Sequence, residues 1–170
     1  MSSALALIGL GSNLDHPRRQ LARAVRAIAG LAGVRLVAVS GNFRSAPIPA
    51  DARQPDYVNA VAAVRTTRPP RALLAALHGI ERRQRRRREQ ETARNAPRTL
   101  DLDLLLYDRR RFRLPGLTLP HPRMHERAFV LRPLADIRPA AIIPGRGLAR
   151  RWLHAARGQR IARTRSHVPH

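Results

Sequence analysis

The stretch Pro97-Arg98-Thr99-Leu100-Asp101-Leu102-Asp103-Leu104-Leu105-Leu106-Tyr107 reads as a strand over residues 99–107. Residues two apart on a strand share a face. Asp101 and Asp103 therefore project together, while Leu100, Leu102 and Leu104 fill the opposite, core-facing side. Upstream lies a polar stretch ending at Pro97. Before it comes a helix opened by Pro69 and Pro70, with Leu73, Leu74, Leu77 and Ile80 along one stripe. Its last turns are expected to dissolve into Arg82, Arg83 and the run Arg85-Arg86-Arg87-Arg88. Residues 57–67 and 34–39 alternate as strands. The loop at 45–56 between them holds three prolines and two aspartates, and loops of that length tend to be functional. Pro17 opens a first helix with Leu21, Val25, Ile28 and Leu31 at helical spacing, closed by Gly30 and Gly33. The chain begins with an apolar strand at 4–10 that runs into a loop at Gly9 and Gly11. Downstream, Asp108-Arg109 reads as a hairpin turn, residues 128–137 as short helical pieces, and 148–156 as a last helix. The order βαββαβ, with two proline-started helices, predicts an α+β ferredoxin-like sandwich. Its sheet would be mainly antiparallel, with helical additions at the C-terminus. One domain is expected over 1–157, followed by a flexible basic tail at 158–170.

Composition narrows the chemistry. The 170 residues carry 33 basic side chains against 11 acidic ones, for a formal charge of +22; every basic residue counted is arginine, and there is no cysteine. These counts rule out a disulfide framework, a zinc-thiolate site, a cysteine nucleophile, a Schiff-base lysine and a lysine-dependent P-loop. A 44% hydrophobic content is too high for a disordered basic tail. No apolar run is long enough to span a bilayer, and the N-terminus lacks the pattern of a signal peptide, so a cytoplasmic protein is expected. The charge surplus has three readings: a nucleic-acid partner, a small phosphorylated ligand, or an arginine-favouring composition without function.

Four groups of residues carry candidate chemistry. The Asp101/Asp103 pair would repel itself on an otherwise apolar strand, so something cationic must compensate. Arg98 at the strand entrance is one candidate. A divalent ion is another, since magnesium takes one or two carboxylates plus waters and phosphates. The plainer alternative is a salt-bridged pair on a solvated sheet face. His121, between Pro120 and Pro122, sits on a rigid loop followed by Arg127 and Phe129; its plainer alternative is a structural surface histidine. Tyr57 and Asn59 share a strand face and set a flat ring beside an amide, which suits a planar heterocycle. An ordinary edge-strand aromatic is the alternative there. Gly9-Leu10-Gly11-Ser12-Asn13 is similar to a glycine-rich phosphate loop but lacks G-x-G-x-x-G spacing.

Taken in this order, these pieces resemble the 6-hydroxymethyl-7,8-dihydropterin pyrophosphokinase family over roughly residues 4–147. The carriers are Gly11-Ser12-Asn13-Leu14, Phe43-Arg44-Ser45-Ala46-Pro47, Gln54-Pro55-Asp56-Tyr57-Val58-Asn59-Ala60 and Ile80-Glu81. To these are added Arg98-Thr99-Leu100-Asp101-Leu102-Asp103, Leu117-Thr118-Leu119-Pro120-His121 and Arg127-Ala128-Phe129. The resemblance implies transfer of pyrophosphate from ATP to the pterin hydroxymethyl group in folate biosynthesis, with AMP released. It implies two magnesium ions held by Asp101 and Asp103. It places the pterin between Tyr57 and Phe129, with Ser45, Asn59, Pro47 and Ile48 around its edge. Arg98, His121, Arg127 and members of the arginine run, Arg87 and Arg88, would meet phosphates. Thr118 and Leu104 would line the nucleotide site, and Glu81 would flank the adenine. Loops at 41–56 and 82–97 would close over the ligands. The expected partners are small molecules, with no membrane and a monomeric chain.

The chain departs from the family pattern at Arg85, Asn95, Gly116, Pro122 and Ala46, where glycine, an aromatic, arginine, tyrosine and proline are usual. No metal ligand is lost. These departures leave open a divergent paralogue that binds pterin or nucleotide with little catalysis. An RNA-binding module on the same fold is the third reading. Six aromatic residues and two carboxylates on a presumed central strand argue against it, and so against a nucleic-acid partner.

Overall fold

Strand β1 (Ala4–Ser12) leads to helix α1 (Pro17–Ala29), strands β2 (Val34–Val39), β3 (Phe43–Ser45) and β4 (Tyr57–Thr66), helix α2 (Pro70–Glu91) and strand β5 (Asp101–Tyr107). These come from a computed structural model that describes residues 2–13, 16–47, 55–91 and 100–164, with the side chains of 86–91 outside that description. The sheet order is β10-β3-β4-β1-β5, with β2 also paired to β4, and every neighbouring pair is antiparallel. This is the ferredoxin-like arrangement expected from the alternation of strands and helices.

Each helix presents an apolar stripe to one face of the sheet. Leu21, Ala24 and Ile28 of α1 and Leu73, Leu77 and Ile80 of α2 are buried there, against Ala6, Ile8, Leu10, Ala62, Val64, Leu102 and Leu104. On the other face, Leu7, Val61, Ala63, Leu105 and Leu106 pack against Val130, Leu131 and Leu134. Those last three belong to α3 (Ala128–Ile137), which follows the hairpin of β6 (Phe112–Leu114) and β7 (Leu117–Leu119). A short ladder of β8 (Ile142–Ile143) with β9 (Gly147–Leu148) and a 3-10 turn over Ala149–Leu153 lead to β10 (Ile161–Arg163).

Strand β5 changes character halfway along. Leu7 pairs with Leu106 and Ile8 with Leu104, so Leu105 is an extra residue, a β-bulge. Before it, leucines face the helices and aspartates face the other way. Beyond it, Leu105 and Leu106 lie in the second core and Tyr107 in the first. The Tyr107 hydroxyl donates to the Arg68 carbonyl at 2.6 Å.

Several expectations are corrected. Helix α2 does not dissolve at the arginine run but continues to Glu91. Arginine, glutamine and glutamate are good helix formers, and no glycine or proline interrupts them. The expected closing loop at 82–97 is therefore helical over 82–91, and 92–97 lie outside the described residues. Gly9 and Gly11 lie within β1 and not in a phosphate loop. Strand β5 is an edge of the sheet, not a central strand. Asp108 and Arg109 do form a turn, but β6 leaves it to pair with β7. Of the tail at 158–170, the residues described run to Thr164 and include a strand. Ile161, Ala162 and Arg163 pair with Ser45, Arg44 and Phe43, and the Arg163 guanidinium bonds Asp136 at 2.5 Å while lying over the Phe43 ring. The last helix is the 3-10 turn at Ala149–Leu153.

Candidate active site

Strand register alone assembles the centre of the site. Gly11 stands between Asn59 and Asp101, and Gly9 between Val61 and Asp103. All share the sheet face that α3 covers only in part. The two glycines leave a trough between the amide and the carboxylates. A Cβ on Gly11 would stand 3.2 Å from the Asn59 Oδ1. The resulting cavity, about 520 Å³, is lined by Gly9, Gly11, Ser45, Tyr57, Asn59, Asp101, Asp103, Arg127 and Phe129, among others. Its size falls within the range of small-molecule sites, roughly 300–1,000 Å³.

The polar groups on the strand side are held before any ligand enters. Asn59, 4% exposed, donates from Nδ2 to the Ser45 Oγ at 2.7 Å and to the Phe43 carbonyl at 3.4 Å. Its amide orientation is thereby fixed by β3. On the helix side, the Arg127 guanidinium lies 5.4 Å from the centre of the Phe129 ring.

Electrostatics single out the carboxylates. Burial, the neighbouring Asp103 and then Glu81 push Asp101 up to about 6, against the pull of Arg85 and Arg127. Glu81 is also raised, chiefly by burial, although its Oε1 accepts the Leu102 N–H at 2.7 Å. Three acidic groups thus crowd one end of β5. Burial lowers the His121 pKa, outweighing the attraction of Asp103, so the ring is neutral near pH 7. Its Nδ1 accepts the Arg123 N–H at 3.2 Å, which assigns the proton to Nε2 and leaves that N–H as a donor. His121 also lines a second cavity, about 510 Å³, with Thr118, Arg111, Arg113 and Arg146. The Asp103 charge acts on it from the first cavity.

A divalent cation suits this donor set. Two carboxylates on one face, one of them resisting ionisation because of burial and then of the other, are relieved by an adjacent positive ion. Among the described residues there is no cluster of three or more His, Cys, Asp or Glu, so a cage built wholly from protein is not present there. Two carboxylates with the remaining positions left to water and phosphate match magnesium.

The sequence-predicted residues divide accordingly. Ser45, Tyr57, Asn59, Asp101, Asp103, Arg127 and Phe129 line the first cavity, and Thr118 and His121 the second. Arg127, expected on the nucleotide side, faces the same cavity as Phe129. The Leu104 side chain lies in the first core at 3% exposure, so only its backbone is left to meet a ligand. Pro47 is buried and does not line the first cavity. The Glu81 carboxylate holds the edge of β5. Ile48 and Arg98 lie outside the described residues, as do the side chains of Arg87 and Arg88. Sequence reasoning missed Arg123, Glu126 and Gln159 in the lining, and the trough formed by Gly9 and Gly11. Alternation of glycine with apolar residues in β1 was a usable signal for the trough. Gln159 gave none, because nothing local marks a long-range contact.

Known proteins resemble this chain. The family model for 7,8-dihydro-6-hydroxymethylpterin-pyrophosphokinase matches residues 7–139. The 2-amino-4-hydroxy-6-hydroxymethyldihydropteridine pyrophosphokinase of Pseudomonas aeruginosa is 49% identical over 138 residues, covering 81% of this chain and 82% of that protein. The enzyme of the same name from Haemophilus influenzae is 45% identical over 140 residues, 82% of this chain and 84% of that one. The fold also matches solved HPPK-DHPS chains. One in complex with substrates superposes at a TM-score of 0.70 with 11% identity, over 91% of this chain and 43% of that chain. One from Plasmodium falciparum superposes at 0.68 with 11% identity, over 90% of this chain and 45% of that chain. The chain thus spans less than half of those longer proteins, and at such identity the likeness shows the fold alone. The family match runs from β1 through α3 and takes in the trough, Asn59 and both aspartates; the chain belongs to the 7,8-dihydro-6-hydroxymethylpterin-pyrophosphokinase family.

Proposed function

We propose that this chain transfers the pyrophosphoryl group of ATP to the hydroxymethyl oxygen of 6-hydroxymethyl-7,8-dihydropterin, releasing AMP, as a cytoplasmic step of folate biosynthesis. The observation that carries the reading is the Asp101/Asp103 pair, set on the same sheet face and in the same cavity as Asn59, Ser45, Tyr57 and Phe129. Planar heterocycles bind between aromatic faces with fixed polar groups at the edge. Tyr57 and Phe129 supply the faces. The buried Asn59 amide, oriented by Ser45, supplies the edge.

Attack of the pterin hydroxyl oxygen on the β-phosphorus forms one P–O bond. The bond from that phosphorus to the α,β-bridging oxygen breaks, AMP departs with the electron pair, and the hydroxyl proton is lost. The protein needs no nucleophile for this, and positioning with charge neutralisation carries the rate. Two magnesium ions held by Asp101 and Asp103 would supply the neutralising charge at the triphosphate. His121, neutral with its Nε2–H available, donates to a phosphate oxygen without adding a full charge. Arg127 reaches the same region from the α3 side, and the resemblance adds Arg98, Arg87 and Arg88 as cations for the phosphates. Thr118 and the Leu104 backbone border the nucleotide, with Glu81 at the adenine end. The monomer is the working unit of this reading. The rest of the +22 charge is surface composition and has no role in binding nucleic acid.

The test is product analysis with ATP, Mg²⁺ and the pterin. AMP formed in step with pyrophosphorylated pterin is expected. ADP as the product, or ligand-induced melting shifts without AMP, would contradict the reading.

A further inference from the structure

We propose that the C-terminal segment Gln159–Thr164 is a clasp that holds the two walls of the first cavity together, with Gln159 as its positioning residue; the proposal rests on the pterin reading of that cavity. Gln159 lies beyond the residues matched by the family model. Its side-chain amide spans the turn before α3: Nε2 donates to the Glu126 carbonyl at 2.6 Å, and Oε1 accepts the Ala128 N–H at 2.9 Å. Ala128 is the first residue of α3, so its N–H has no intrahelical acceptor, and the N-cap residue Arg127 makes no side-chain cap. Gln159 therefore caps α3 from a distance. The residues gripped on either side leave Arg127 and Phe129 projecting into the cavity.

Two residues on, the same segment reaches the other wall. Ile161 pairs with Ser45, the residue whose Oγ accepts from Asn59. The strand is anchored beyond that by Arg163, which bonds Asp136 and lies 4.9 Å over the Phe43 ring, and by the Thr164 N–H on the Asn42 carbonyl at 2.9 Å. One short stretch thus fixes Phe129 against Ser45 and Asn59, and so sets the spacing across which a flat ring would fit. The nucleotide-side residues Thr118 and His121 make no contact with it among the described hydrogen bonds.

The experiment compares the wild-type full chain with Gln159→Ala and Gln159→Glu by two readouts. Amide hydrogen exchange of the ligand-free protein should show Ala128 exchanging about tenfold faster in Gln159→Ala, with protection restored in Gln159→Glu, whose carboxylate still accepts that N–H. Steady-state kinetics should show the KM for pterin rising about tenfold in Gln159→Ala, with the KM for ATP changed much less. Gln159→Glu should fall between, since it cannot donate to the Glu126 carbonyl. Unaltered Ala128 exchange, an unaltered pterin KM, or equal rises in both KM values would each overturn the clasp. If the wild type turned over no pterin, the functional reading would fail, and the exchange readout would still decide whether the clasp exists.

Discussion

The two faces of the sheet solve different problems with the same strands. The face under α1 and α2 is closed from end to end: Leu102 and Leu104 of β5 meet Leu77 and Ile80, and their exposures are 3% or less. The other face is closed only where α3 covers Val61, Leu105 and Leu106. Beyond α3 it opens, and there glycine, asparagine and aspartate replace the aliphatic residues. Strand β5 belongs to both. Its leucines secure the fold, while its aspartates, one residue out of phase, face the open side, Asp101 exposed and Asp103 half-buried. Stability is concentrated on the closed face, and reactivity on the open half of the other. That separation predicts opposite outcomes for neighbouring substitutions.

The largest effect is expected at the aspartates. Asp101→Asn or Asp103→Asn should lower kcat by at least about a hundredfold, with the melting temperature unchanged or raised because a repelling pair has been relieved. Near-normal turnover in either variant would remove the reactive half from the comparison. One residue along, Leu102→Ala should do the reverse, destabilising the fold by about 2–5 kcal/mol in denaturant unfolding while the remaining folded enzyme keeps its pterin KM. Gly11→Ala tests the trough. Its new Cβ would press on the Asn59 Oδ1, and an increase of about tenfold in the pterin KM is expected with little loss of stability.

The smallest effect concerns pH. Asp101 ionises at about 6 in the fold and near about 3.9 in an unfolded chain. Between those values the metal-free fold holds a proton that the unfolded chain has released, so stability falls as pH rises through that window and levels off above it. The slope should flatten in Asp101→Asn when melting is followed in a chelator. An unchanged slope would show that Asp101 does not feel its neighbours as described.

Strand alternation and proline-opened helices were enough to read the sheet, because both are local signals. The pairing of Asp101 with Asp103 and of Tyr57 with Asn59 was legible for the same reason: period two needs no tertiary information. The bulge at Leu105 was not, since four consecutive apolar residues look the same whether they switch faces or not. Continuation of α2 through the arginines was missed because charge was read as a loop signal where intrinsic propensity favoured helix. The contacts made by residues 159–164 were not legible. Gln159 and Arg163 make contacts across 31 and 27 residues of chain, which no local pattern encodes.

The central claim is that the open half of the sheet carries the metal that the transfer needs, through Asp101 and Asp103. Calorimetric titration of Mg²⁺ into the protein with a non-hydrolysable ATP analogue, for the wild type and for the Asp101→Asn/Asp103→Asn double variant, tests it most directly. Saturable Mg²⁺ binding by the wild type and its loss in the double variant are predicted; equal binding by the two proteins would contradict the account.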